Sequence, residues 1–162
     1  MTKNNTKVLC DPNRIGQVFG NLMKNSVDFV KEKDGKISIG ADYYSEANEG
    51  IDQSPSDGIT GHKRFVVFWV NDNGPGIPHD KIDKLFSKFY QIDTTMKRKH
   101  GGTGLGLAVC KGIVEAHGGK IWVDKNYKNG ASIRFTLPAI EEDDGIDSIP
   151  KLILYIICLS WK

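Results

Sequence analysis

The sequence is short of several features that would place a protein in a large class at once. Cysteine is scarce: Cys10, Cys110 and Cys158 are far apart, odd in number, and form no Cys-x-x-Cys pair. That excludes a disulfide framework and the common zinc spacings, and suits buried thiols in a reducing compartment. The four histidines, His62, His79, His100 and His117, include no i, i+4 pair and no His-Glu-x-x-His run, so they are not expected to build a metal site. No apolar run approaches the ~18–20 residues of a membrane span; the longest covers Leu152–Leu159. Met1–Lys7 is polar and lacks the apolar stretch of a signal peptide. Charge bias is missing too. Against 20 Asp+Glu stand 22 Lys+Arg, a formal net charge of +2, which is no field for nucleic acid as the main partner.

What is plentiful is glycine, with 18 residues, against a usual share of ~7%. No collagen-like period or low-complexity tract accounts for them. The 162 residues suffice for one globular domain with a proper core.

Asp11-Pro12 reads as an N-cap and a first helical residue. Ile15, Val18, Phe19, Leu22 and Phe29/Val30 then recur at helical spacing, so a helix is expected over 12–31. Lys36–Tyr44 alternates as a strand, and 45–63 is a polar loop. Phe65–Val70 is apolar and β-branched, the pattern of a central strand buried on both faces. A Gly/Pro turn at 73–78 precedes a short helix at about 80–86, and 87–103 is polar and basic. A second helix is expected over 105–117, ended by Gly118-Gly119. Lys120–Asp124 and Ser132–Leu137 read as strands joined through Asn129-Gly130, a hairpin dipeptide. This order predicts an α+β fold, a two-layer α/β sandwich with helices on one face of a mixed, mostly antiparallel sheet.

Three clusters carry chemistry. Asn21, Asn25 and Asp28 fall at i, i+4 and i+7 on one helix face. A carboxamide oxygen there can ligate Mg²⁺, though a polar stripe facing solvent has the same spacing. Asn71-Asp72-Asn73-Gly74-Pro75-Gly76-Ile77 follows the apolar strand. Its acid can accept a hydrogen bond from an exocyclic amine and its glycines admit close backbone approach, yet an ordinary turn uses the same residue types. Gly101-Gly102-Thr103-Gly104-Leu105-Gly106-Leu107 opens a helix after the basic Lys97-Arg98-Lys99. Free backbone N–H groups at a helix start suit phosphate, but a lone Gly-rich run is weak; this one lacks the Walker A ending and does not follow a strand.

Taken in this order, the clusters resemble the ATP-binding catalytic domain of sensor histidine kinases, in the superfamily that includes DNA gyrase, Hsp90 and MutL. Asn21–Ser26 resembles the N box, Asp72–Gly76 the G1 box, Leu85–Tyr90 the F box and Gly102–Leu107 the G2 box. Glu115–Ile121 resembles the closing helix and strand, and the resemblance runs from about Val8 to Pro138.

The resemblance implies a Bergerat-type ATP-binding fold over 1–139, with a lid at about 78–103 and an acidic linker and apolar tail over 140–162. It implies ATP and Mg²⁺ as cofactors. Asn25 would ligate Mg²⁺, with Asp28 near its shell, and Asn21 would lie near the phosphates. Asp72 would accept from the adenine amino group while Gly74, Gly76 and Ile77 pass close to the ring. Gly102, Thr103, Gly104, Leu105, Gly106 and Leu107 would cradle the phosphates. Phe86 and Phe89 would anchor the lid, and Lys88 would reach a phosphate. The implied activity is protein-histidine kinase, with Asn21, Asn25 and Lys88 as its catalytic residues.

Hydrolysing relatives place Glu where Asn21 stands, and a carboxamide is a poor base, which favours transfer over hydrolysis. Three departures stand beside this. Asp28 occupies a place where histidine kinases often carry Lys, and resembles the gyrase pattern. Loop 45–63 is long. No acceptor-histidine box is present, and His100 and His117 read as structural. The implied partners are therefore a separate histidine-bearing dimerisation domain and a response regulator, with a monomeric, cytoplasmic fragment and no membrane segment of its own. A gyrase/MutL-type ATPase and a regulatory nucleotide-binding module, such as an anti-sigma-like serine kinase, are the alternatives.

Overall fold

The computed structural model describes residues 7–31, 33–44, 65–92, 103–140 and 159–160. Loop 45–63, the Lys97–Lys99 run, Gly101, Gly102 and the acidic linker 141–147 lie outside the described residues.

Helix α1 spans Pro12–Phe29. The Asp11 carboxylate accepts from the amides of Asn13 (2.9 Å) and Arg14 (3.2 Å), and Pro12 supplies a preset φ at the first position. The helix buries Ile15, Val18, Leu22 and Ser26, a stripe at helical spacing. It ends two residues before the expected Lys31, because Val30 turns extended (ψ 153). Asp34 (φ 68) then redirects the chain into β2.

The strands are β1 (Lys7–Val8), β2 (Lys36–Tyr44), β3 (Phe65–Asp72), β4 (Ile121–Val123), β5 (Ser132–Ile140) and β6 (Leu159–Ser160). They lie in the order β1-β5-β3-β2-β6, with β4 also paired to β5. Every pairing among the described residues is antiparallel, in keeping with the expected mostly antiparallel sheet. β3 is central, as expected, and runs two residues longer, so that Asp72 is its last residue. β5 extends past Leu137 because its end pairs with β1, Val8 against Ala139.

One sheet face carries Val66, Phe68, Val70, Ile133, Phe135 and Leu137, packed on Ile15, Val18 and Leu22 of α1 and on Cys110 and Val114 of the second helix. Phe19, Phe68 and Phe135 meet there, edge-on from the helix and stacked across the sheet at 5.2 Å. This is one layer of helices on one sheet.

The short helix after Pro78 is a 3-10 helix over His79–Lys84, not an α-helix at 80–86. Bonds to the third residue back (Lys81 to Pro78, Leu85 to Ile82) run through it, and only Ile82 is buried. With one apolar anchor, nothing pulls the segment into a longer amphipathic helix.

Helix α2 spans Gly106–Ala116. It ends as expected: Gly118 (φ 74) donates to the Glu115 carbonyl and Gly119 to that of Val114, a Schellman motif. The β4–β5 connection contains Asn129-Gly130, as expected. Asp124 closes the ladder on Ser132 (2.9 Å), leaving a wider loop over 125–131. Among the described residues, no helix is long and apolar enough to cross a membrane.

Candidate functional site

The end of β3 brings α1, the Asp72–Gly76 loop and the β4–β5 loop together. Asp72 points to the helix side and is only 7% exposed. Its Oδ1 accepts from the amides of Gly74 (2.9 Å) and Ala131 (3.3 Å); its Oδ2 accepts from the Ser26 hydroxyl (3.0 Å). A buried carboxylate needs such donors to remain in place. The two oxygens offer about four acceptor sites, and these three donors leave one for a ligand.

Ser26 was not singled out from the sequence as a site residue, because its partner lies 46 positions away. Gly130 and Ala131 were missed for the same reason. A Cβ on Gly130 would collide with the Asp72 carbonyl oxygen, and one on Gly76 would stand 3.1 Å from that of Gly130. The Asn129-Gly130 pair therefore supports the loop beside it, with Gly130 at φ 140.

Asn73 holds the other side. Its Oδ1 accepts from the Lys36 amide (2.7 Å) and its Nδ2 donates to the Asp34 carbonyl (2.8 Å). Gly74 sits against the Phe29 carbonyl, where a Cβ would be 3.1 Å away. Gly76 takes φ 78, and Ile77 is half-buried beyond it.

Asn21, Asn25 and Asp28 line the border of the buried stripe of α1 and are half-buried, so they do not form a solvent-facing stripe. Asn21 reaches α2, its Nδ2 donating to the Gly106 carbonyl (3.4 Å). Among the described residues the half-buried Asn25 carboxamide has no hydrogen-bond partner, which leaves its oxygen open to a hard cation. Among the described residues no group of three His, Cys, Asp or Glu side chains could hold a metal ion.

The start of α2 faces this region without a side-chain cap; Leu105 is its N-cap. Its first amides are therefore open to an anion. Gly104 (φ 70) allows the loop to meet the segment after the 3-10 helix: the Phe89 amide donates to its carbonyl (3.1 Å), and a Cβ on Gly104 would be 2.9 Å from the Phe89 backbone. Phe89 itself takes φ 61 with its side chain 74% exposed, whereas Phe86 packs on the core. Of the two expected lid anchors, only Phe86 anchors by packing. Lys88 and Thr103 are exposed, Leu105 is half-buried, and Leu107 packs on the core.

Residues 10–141 match the family described as "Histidine kinase-, DNA gyrase B-, and HSP90-like ATPase". The sequence is 38% identical over 135 residues to the sensor protein kinase WalK of Staphylococcus aureus, covering 83% of this chain and 28% of that protein. The chain thus spans less than a third of this curated relative. Among solved structures, the mycobacterial sensor histidine kinase MprB superposes with a TM-score of 0.59 at 25% identity, covering 83% of this chain and 78% of that one. The nucleotide-free catalytic domain of histidine kinase ThkA gives 0.56 at 34% identity, over 81% and 71%. Full-length ShkA in complex with AMPPNP gives 0.58 at 28% identity, over 83% and 23%.

Proposed function

Since the chain belongs to the histidine kinase-, DNA gyrase B- and HSP90-like ATPase family, we propose that it is the catalytic domain of a sensor histidine kinase. It binds Mg·ATP and passes the γ-phosphoryl group to a histidine on a dimerisation domain outside this sequence. The observation that carries the reading is the Asp72 carboxylate, buried at a strand end and held by Ser26, Gly74 and Ala131 with one acceptor site left over.

In this reading Asp72 selects adenine by accepting from its amino group. The ring lies along Gly74, Gly76 and Ile77. The uncapped start of α2, with Gly102 to Leu107, takes the phosphates, and exposed Lys88 adds a positive charge. Asn25 would hold Mg²⁺ through its amide oxygen, with Asp28 beside it; the ion would neutralise phosphate charge. A neutral imidazole attacks phosphorus through its bare nitrogen. A P–N bond forms, the bond from phosphorus to the bridging oxygen breaks, ADP leaves with the electron pair, and the proton on the ring's other nitrogen is released to solvent. No base on this chain is needed, and Asn21, whose amide is engaged with Gly106, provides none. The protein's part is positioning and charge neutralisation. A response regulator would then take the phosphoryl group, in the cytoplasm.

The test is calorimetric titration with ATP, with and without Mg²⁺, followed by transfer to a histidine-bearing dimerisation domain such as that of a WalK-like relative. Acid-labile phosphate on that histidine is expected. Asp72→Ala should weaken ATP binding about 10- to 100-fold, the range for a charge-assisted hydrogen bond. Unchanged binding by a folded Asp72→Ala chain would remove the reading. Multiple-turnover hydrolysis lost in Asn21→Ala would transfer it to the gyrase/MutL type.

A further inference from the structure

We propose that His117 is a positioning residue that sets the register of α1 against α2, and with it the spacing of the two helices that hold the nucleotide. This rests on the nucleotide reading above. His117 lies outside that site, at the far end of α2.

The Asp11 side chain caps α1, which leaves the Asp11 amide, at the exposed helix start, without a partner inside the helix. In a capping box, Glu or Gln three residues on takes that amide. Here the place is held by Arg14, whose guanidinium has only donors. The acceptor comes instead from His117, 106 positions away: Asp11 N–H donates to its Nε2 at 3.1 Å. The other ring nitrogen, Nδ1, lies 2.7 Å from the Ile113 carbonyl. A carbonyl oxygen only accepts, so the proton is on Nδ1 and Nε2 is bare. The last turn of α2 thus orients the ring, and the ring completes the first turn of α1.

Two other ties join these helices: Cys110 Sγ with the Val18 carbonyl at 3.7 Å, and Asn21 with Gly106 at 3.4 Å. The pairs 11/117, 18/110 and 21/106 fall in antiparallel register, with the outer two roughly 15 Å apart along the axes. The apolar contacts between them, Ile15, Val18 and Leu22 on Cys110 and Val114, are non-directional and fix an axial position less sharply than a hydrogen bond does. Directional bonds oppose it. At the nucleotide end the tie is long, so the shorter His117 bond at the opposite end carries the register.

The experiment compares His117→Leu and His117→Gln with wild type in the full chain, by calorimetry with a non-hydrolysable Mg·ATP analogue and by melting. His117→Leu should bind about three- to tenfold more weakly, the effect of one hydrogen bond. His117→Gln puts an oxygen near the Nε2 position and should recover most of the loss, with protection of the Asp11 amide from exchange recovering in parallel. A folded His117→Leu chain that binds like wild type overturns the proposal, as does a His117→Gln chain no better than His117→Leu. Should His117→Leu not fold, the wild-type imidazole ¹⁵N spectrum decides: a proton on Nδ1 is expected, and a proton on Nε2 overturns it. If Asp72→Ala also binds like wild type, the nucleotide reading has failed, while the Asp11 amide still reports on the tie.

Discussion

Three donors converge on the Asp72 carboxylate, and only one of them, Gly74, is a sequence neighbour. Its importance was legible because Asp-Asn-Gly-Pro-Gly after an apolar run is a compact local pattern. The Ser26 hydroxyl was not, since a serine inside a helix stripe carries no local sign of a partner on a strand. Ser26→Ala removes the donor to Oδ2 and should destabilise the fold by ~1–2 kcal/mol in urea denaturation. It should also weaken ATP binding less than Asp72→Ala does, since Gly74 and Ala131 still hold Oδ1. The thiols separate in the same way. Burial pushes the Cys110 thiol up to about 11 from 9.0, while Cys10, half-buried, is raised by burial and then by the Asp11 charge. Cys110 should therefore be inert to a thiol reagent at neutral pH until the chain unfolds. Since the folded thiol keeps its proton to higher pH than the unfolded one, its contribution is complete below about pH 9 and lost between about 9 and 11. That amounts to about 2–3 kcal/mol, read as an alkaline loss of stability absent in Cys110→Ala.

Helices and strands followed their periodicity where a strong apolar stripe exists, as in α1, β2, β3 and α2. Their ends were decided by contacts. α1 stops at Phe29 because Asn73, from the end of β3, holds the Asp34 carbonyl and the Lys36 amide in the following turn. Asn73→Ala should loosen that turn and lower the melting temperature by a few degrees, with two solvent-exposed bonds lost at ~0.5–1 kcal/mol each. Asn129-Gly130 lies in the connection between β4 and β5 as expected, and there Gly130 also gives the close backbone approach to Asp72. Gly104 joins the phosphate loop to Phe89 at positive φ. Gly104→Ala combines an unfavourable backbone with a Cβ 2.9 Å from the Phe89 backbone, and should cost at least ~1 kcal/mol. ATP affinity should fall with it, measured by the same titration.

Across the sheet and both helices, the order β1-β5-β3-β2-β6 puts the strand that ends in Asp72 at the centre, flanked by β2 and β5. Both neighbours then contribute to the same corner: Asn73 ties to the start of β2, and Ala131 precedes β5. Some of the plentiful glycines gather there: Gly74, Gly76, Gly104, Gly106 and Gly130 all lie on loops or helix starts around this corner. The sequence by itself determined the element types, the helix cap at Asp11, the two apolar faces and the local boxes, because each depends on residues within a few positions of one another. Tertiary structure alone decided the partners of Asp72, the strand order and register, the end of α1 and the His117 tie. Those bonds join residues tens of positions apart, and donor and acceptor types alone do not say which of many possible pairs the fold brings within hydrogen-bonding distance.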